Sequence, residues 1–396
     1  MRAIVACHRY GKYELLSASG DNTERYRKSE MAEINLILSS HAAGVPVTAV
    51  ALGDTGTGIA VIPQAAIDAL LRMRDQIIQM MGGAPRMSAS ELVRFSRMMG
   101  RVLYSDDIGR AVTNASAPPP LVTKILATTR QLKAIPWEYA AWPTGEDSPQ
   151  LNNCIVRLIP QFRAAPPVAL LRNGDFRVLM LSASPLKFDR IPWPDIRDSL
   201  VRVFQVALPK LEIFADDQQP TTHASLCIVN AATKALVRRK IRDYDPHIIH
   251  FIGHGTDKGI ALIDGETNTS VLMDGMAFGA ALLTAPSCRL VILSACDTAN
   301  PGTLDPVNET IDTFAEQIVR NAVPAVIASQ TVIDKSTIAT FCEALYMELL
   351  KSGSIDLAVA SGRCNVAAQL GTVTSAAIEW GIPVLYRRLG AGRLFA

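Results

Sequence analysis

The chain has 396 residues, 49% of them hydrophobic, and a formal net charge of +2. That length can bury one large or two medium cores, and the near-neutral charge gives the whole molecule no pull toward nucleic acid or an anionic membrane. No apolar run approaches the roughly 20 residues of a bilayer-crossing helix, and the N-terminal Met1 to Cys7 turns polar at His8 and Arg9, too soon for a signal-peptide apolar region.

Aromatic residues make up only 6% of the chain, so buried strands must be aliphatic, as in α/β proteins. The 7 cysteines are odd in number, scattered and without a Cys-x-x-Cys pair. They read as buried thiols of a reducing, cytoplasmic setting, not as a disulfide framework or a structural zinc site.

In chain order, Ala3 to Cys7 is expected to be a strand and Met31 to Ser40 a helix. Val47 to Leu52 and Ile59 to Ile62 flank the glycine-rich segment Gly53 to Gly58, which lacks the Lys-Ser/Thr pair of a phosphate loop and reads as a hairpin turn. Helices are expected over Pro63 to Met81, where Ile67, Leu70, Leu71, Ile77 and Ile78 recur at helical spacing, and over Ala89 to Tyr104. The run Ser116 to Pro120 is a candidate linker, and Pro143 to Asn153 a loop.

From Phe176 onward, strands and helices alternate. Strands are expected at Phe176 to Ser182, Leu211 to Phe214, His247 to Ile252, Arg289 to Ala295, Ala325 to Ser329 and Pro383 to Arg387. Helices are expected at Asp195 to Ala207, Leu226 to Arg242, Ile311 to Val323, Lys335 to Lys351 and Asp356 to Leu370. Such alternation points to a mostly parallel sheet covered on both faces. The basic run Arg238 to Arg242 falls at a helix C-terminus, where cations complement the helix dipole. It has no interleaved aromatics for stacking on nucleic acid.

Two segments carry chemistry. His247-Ile-Ile-His250-Phe-Ile-Gly253-His254-Gly255 and Leu290-Val-Ile-Leu-Ser294-Ala-Cys296-Asp297-Thr298 are each an apolar strand run ending in a reactive residue. Ligands of open α/β sheets gather beyond the carboxyl ends of strands, and neighbouring strands lie about 4.8 Å apart. A His and a Cys just past two adjacent strands can therefore form a base–nucleophile pair, His254 taking the proton of Cys296. The flanking glycines leave the imidazole unhindered, and the N–H groups of Gly255 and Cys296 are the candidate oxyanion hole. His250, on the same strand face as His254, reads as a packing residue, since no acidic or Cys partner completes a metal set. Trp137 reads as the anchor of its loop, and Cys288, Cys227, Cys342 and Cys364 as packing residues.

Together, Gly253-His254-Gly255 and Leu293-Ser294-Ala295-Cys296-Asp297-Thr298 resemble the CHAT family, caspase-like proteins related to caspases and separase. Ile135-Pro136-Trp137-Glu138, Ala322 to Ser329, the helix around Phe341, Leu345 and Tyr346, Ala360 to Arg363, and Trp380 with Ile382 to Tyr386 fall in the family's order. The resemblance runs roughly from residue 55 to the end.

It implies a caspase-like α/β fold, a mostly parallel sheet flanked by helices on both faces. Residues 121–396 would form the peptidase domain, and residues 1–120 a strand/helix extension packed on it. It also implies a cysteine endopeptidase with His254 as base and Cys296 as nucleophile, without cofactor or metal. A protein substrate and an activating partner protein are expected, and neither nucleic acid nor membrane insertion. Bacterial relatives suggest defence or programmed cell death, with a gasdermin-like pore former as a plausible substrate.

Caspases carry a glutamine where this chain has Ser294, so cleavage after aspartate is not expected. An acidic first pocket would instead select Lys or Arg, with Asp297 and Asp264 as candidates, each equally at home as a cap or turn residue. The competing function is a non-enzymatic scaffold on the same fold with a vestigial dyad. A nucleotide-binding role would need a glycine loop between a strand and a helix, and none is convincing.

Overall fold

The computed structural model describes residues 33–39, 47–53, 56–81, 89–105, 108–109, 121–140, 153–160, 167–169, 175–186, 193–218, 220–222, 224–295, 298, 312–330, 333–370 and 379–396. The strand expected at Ala3 to Cys7, the Ser116 to Pro120 linker and most of the Pro143 to Asn153 loop lie outside the described residues.

The segment expected to be a helix over Met31 to Ser40 is instead strand β1, Glu33–Ser39. Leu36 and Leu38, two residues apart, are buried. The strand is paired on both edges, antiparallel to β2 (Val47–Gly53) and parallel to β4 (Leu121–Ala127). Period-two burial with both edges paired outweighs the helical leaning of Met31, Ala32 and Glu33. The hairpin is present: β2 pairs antiparallel with β3 (Gly56–Ile62), Gly53 facing Gly56. Helices α1 (Gln64–Met81) and α2 (Ala89–Leu103) follow, with Ile67, Leu70, Phe95, Met99 and Leu103 turned into the core. A short helix α3 (Arg130–Ala134), capped by the Thr129 hydroxyl, precedes β5 (Asn153–Leu158).

The second half alternates as expected, with one correction and with four further elements between Ile252 and Arg289 that the sequence pattern did not give. Strand β6 (Phe176–Ser182), helix α4 (Trp193–Ala207) and strand β7 (Glu212–Ala215) stand where the pattern puts them. The helix expected over Leu226 to Arg242 is two elements, strand β8 (Ala224–Val229) and helix α5 (Lys234–Tyr244). Leu226 packs on one side of the sheet, Cys227 and Val229 on the other. A run buried on both faces has no period to tell strand from buried helix. The real helix start is Thr233, whose hydroxyl accepts from the Leu236 N–H at 3.2 Å.

Then come β9 (Ile248–Ile252), β10 (His254–Thr256), β11 (Gly259–Ile263), β12 (Ser270–Asp274), α6 (Gly275–Leu282), β13 (Leu290–Ser294), α7 (Phe314–Asn321) and β14 (Ala325–Ser329). The chain closes with α8 (Lys335–Ser352), α9 (Ile355–Leu370) and β15 (Pro383–Arg387). Gly353, at φ 68, turns α8 into α9 in the left-handed conformation that glycine adopts without strain.

The main sheet has 12 strands in the order β3-β2-β1-β4-β5-β15-β14-β13-β9-β6-β8-β7, and β10-β11-β12 form a separate 3-stranded sheet. The N-terminal strands therefore continue the central sheet through the β1–β4 pair. All pairs from β14 to β7 are parallel. The antiparallel β14–β15 pair joins this block to a second parallel block, β15, β5, β4 and β1.

Alternate residues of each central strand feed two cores. Val178, Met180, Ile248 and Ile292 pack with α4, α8 and α9 through Leu200, Phe204, Leu345 and Val359. Leu179, Leu181, Ile249 and Val291 pack with α5, α6 and α7 through Val237, Phe278 and Ile318. Helices thus cover both faces, as near-continuous apolar strands require. Among the described residues no helix is long and apolar enough to cross a membrane.

Candidate active site

The chain order reverses at β6. From β6 the chain builds β7 and β8 on one side, then passes to β9 on the other. A crevice outside the carboxyl ends at such a switch point is where open α/β sheets place their ligands. The tips of β6, β9 and β13 meet there. Register pairs Ser182 with Ile252 and Ile252 with Ser294. The Ala183 N–H donates to the Ile252 carbonyl at 3.3 Å, and the Gly253 N–H to the Ser294 carbonyl at 3.2 Å.

His254 stands two residues beyond Ile252 and opens β10, half-buried, opposite Ala261 of β11. Gly253 carries no side chain because there is no room for one: a Cβ would run into the Phe251 ring and come within 3.1 Å of the Ala183 carbonyl oxygen.

The β10–β11 hairpin aims the backbone of Gly255. Thr256 pairs with Gly259 across a two-residue turn, so these two exchange both backbone hydrogen bonds, as do His254 and Ala261. Gly255 lies between them and directs its N–H and C=O away from β11, to the outer edge of the small sheet. Asp264 has a different task. Its Oδ1 accepts from the backbone N–H of Glu266 and Thr267 and from the Thr267 hydroxyl at 2.9–3.1 Å, which closes the β11–β12 turn and holds its carboxyl below the usual range.

Cys296 and Asp297 lie outside the described residues, but their neighbours are fixed on both sides. Ala295, just past the end of β13, is buried. Thr298 is fully buried; its hydroxyl donates to the Ala295 carbonyl at 3.1 Å and accepts from the Ser329 N–H at 3.4 Å.

Ser294 is buried, and its hydroxyl lies 2.8 Å from Nε2 of His250. His250 is fully buried in β9, with Nδ1 3.0 Å from the Tyr346 hydroxyl of α8. Burial pushes its pKa down to about 3, so the ring is neutral and packs as a polar strut. Sequence spacing shows His250 and Ser294 on neighbouring strands; the contribution of Tyr346, from a helix 96 positions away, leaves no sequence signal.

Four other thiols are poor nucleophiles. Burial pushes Cys154, Cys288 and Cys342 up to about 12 and Cys227 to about 11, which leaves them protonated at neutral pH. Trp137 is an anchor, fully buried with Nε1 donating to the Leu132 carbonyl at 2.8 Å. Among the described residues no group of three His, Cys, Asp or Glu side chains could hold a metal ion.

Comparison with known proteins agrees with this architecture. No curated protein matches the sequence. The structure resembles separase in the Saccharomyces cerevisiae separase–securin complex, with a TM-score of 0.51 at 10% identity, over 90% of this chain and 30% of the separase chain. The chain thus spans under a third of separase. It is also similar to the Arg-specific cysteine proteinase gingipain R, at a TM-score of 0.47 and 7% identity over 78% of this chain and 68% of that one. A secreted C11 cysteine protease from Bacteroides thetaiotaomicron matches over 48% of this chain and 59% of its own, with a TM-score of 0.31 and 13% identity. The separase likeness is one of fold, a caspase-like α/β fold. With a family model matched over residues 97–387, the chain belongs to the CHAT domain family.

Proposed function

We propose that this chain is a cysteine endopeptidase working through a His254–Cys296 dyad. One observation carries the reading. Strands β9 and β13 are parallel neighbours with Ile252 opposite Ser294, and the His and the Cys each follow that rung by two residues. His254 takes the thiol proton, and the resulting imidazolium favours the thiolate. The thiolate attacks a peptide carbonyl and expels the amine, which His254 protonates. Water, activated by the same imidazole, then hydrolyses the acyl-enzyme and restores the thiol. The outward N–H of Gly255 supports its role as oxyanion donor, with the Cys296 N–H as the second.

A protein substrate follows from this chemistry. Its setting, bacterial defence or programmed cell death in the cytoplasm with a gasdermin-like pore former as substrate and an activating partner protein, is part of the same proposal. Asp297 remains the proposed acidic pocket residue. Asp264 and Ser294, engaged in a turn and in the sheet, have less to offer a substrate side chain.

Incubation of the purified chain with candidate substrates, with and without proteins encoded beside it, tests the reading. Cleavage is expected for the native chain and not for Cys296→Ala or His254→Ala. Cleavage that persists in Cys296→Ala overturns the assignment.

A further inference from the structure

We propose that Ser294 is a positioning residue, held by His250 and Tyr346, that fixes the height of the nucleophile-bearing strand tip against the tip bearing the base. The proposal rests on the dyad reading and adds to it.

Ser294 is bonded to β9 twice. Its carbonyl accepts from the N–H of Gly253, the residue before His254, at 3.2 Å. Its hydroxyl meets Nε2 of His250 at 2.8 Å, one pleat lower on the same strand. Slippage of β13 along β9 would break both bonds at once.

Tyr346, His250 and Ser294 form one hydrogen-bonded chain from helix α8 to the tip of β13. A neutral imidazole, with one N–H and one lone pair, can bond both hydroxyls at once, donating to one and accepting from the other. A buried chain of this kind is stiff, and a dyad needs stiffness because the imidazolium lowers the thiol pKa only at close range.

The test is the pH dependence of Cys296 alkylation by iodoacetamide in the full chain, followed residue by residue by mass spectrometry, with thermal unfolding run in parallel. Ser294→Ala is expected to slow alkylation at pH 7 about tenfold and move its midpoint upward. Tyr346→Phe removes only the hydroxyl and is expected to move the midpoint the same way by less. It keeps the ring packed on Phe204 at 4.6 Å between centroids, so it serves if Ser294→Ala fails to fold. Loss of thermal stability with an unmoved midpoint would overturn the proposal, since a merely structural bond changes the melt alone. His254→Ala separates the two readings. If it leaves Cys296 as reactive as before, the dyad itself is wrong; if it abolishes the reactivity while Ser294→Ala and Tyr346→Phe do not move the midpoint, only the positioning role fails.

Discussion

Arg157 and Glu138 form a two-pronged ion pair inside the fold, Nε to Oε1 at 2.8 Å and Nη2 to Oε2 at 2.7 Å. Nη1 of the same guanidinium donates to the Lys133 carbonyl, and Nη2 also reaches the Ile135 carbonyl and Gln330. Gln330, just past β14, returns a bond from Nε2 to Glu138 at 3.0 Å. The pair thus joins β5, the loop of Trp137 and the carboxyl end of β14, the strand beside the candidate nucleophile's strand.

Side-chain exposure is 7% for Arg157 and 0% for Glu138, so neither charge has water to fall back on. Removing one partner of a buried pair costs about 3–5 kcal/mol, because the other is left charged and unpaired. Glu138→Gln is therefore expected to lower the urea midpoint strongly, and Arg157→Met alone to do the same. The double variant should recover part of the loss. Additive losses in the denaturation curves would show that the pair is not coupled.

A second prediction concerns Gly253. The position lies outside the left-handed region, and its requirement is space: a Cβ would meet the Phe251 ring, which is itself fully buried with Leu181 and Leu293 opposite it on the neighbouring strands. Gly253→Ala must push the ring or the strand tip aside, and overpacking of this kind costs about 1–3 kcal/mol. The shift falls between Ile252 and His254, so on the proposed dyad the proteolytic activity should drop by more than the folded fraction does. Equal losses of activity and of folded protein, measured by circular dichroism at the assay temperature, would contradict this.

Much of this was legible in the sequence because the functional elements are regular. Strands β9 and β13 are continuous apolar runs that stop at glycine or small polar residues, and strand–helix alternation already implied that they run parallel. Met31 to Ser40 and Leu226 to Val229 misled for different reasons: Glu33–Ser39 is a strand because both its edges are paired, whereas Ala224–Val229 is buried on both faces and so has no period to tell strand from buried helix. Ser294 and Asp264 are residues whose tasks depend on what stands opposite. Ser294 faces His250 across the sheet, and Asp264 faces the amides of its own turn, neither of which residue type reveals.

The last prediction is acid sensitivity carried by two histidines. His247 accepts the Arg177 N–H on Nδ1 at 3.0 Å and stacks on Phe176 with the rings 4° from parallel. Burial, helped by Arg177, pushes its pKa down to about 4, and burial alone pushes His250 to about 3. Both rings are neutral in the folded chain, and protonating His247 would also convert its accepting nitrogen into a donor facing another donor. In the unfolded chain the same rings titrate near about 6.5. Below that pH the unfolded state binds more protons than the folded one, so stability must fall as pH drops through the window from about 6.5 to about 4. Each ring contributes a slope of up to about 1.4 kcal/mol per pH unit there. Urea unfolding followed from neutral to mildly acidic pH should show this decline before the carboxylates begin to protonate. His247→Gln, which keeps a polar side chain but cannot titrate, should remove roughly half of the slope. A flat stability profile across that window would mean that both rings are already protonated, or reached by water, in the folded protein.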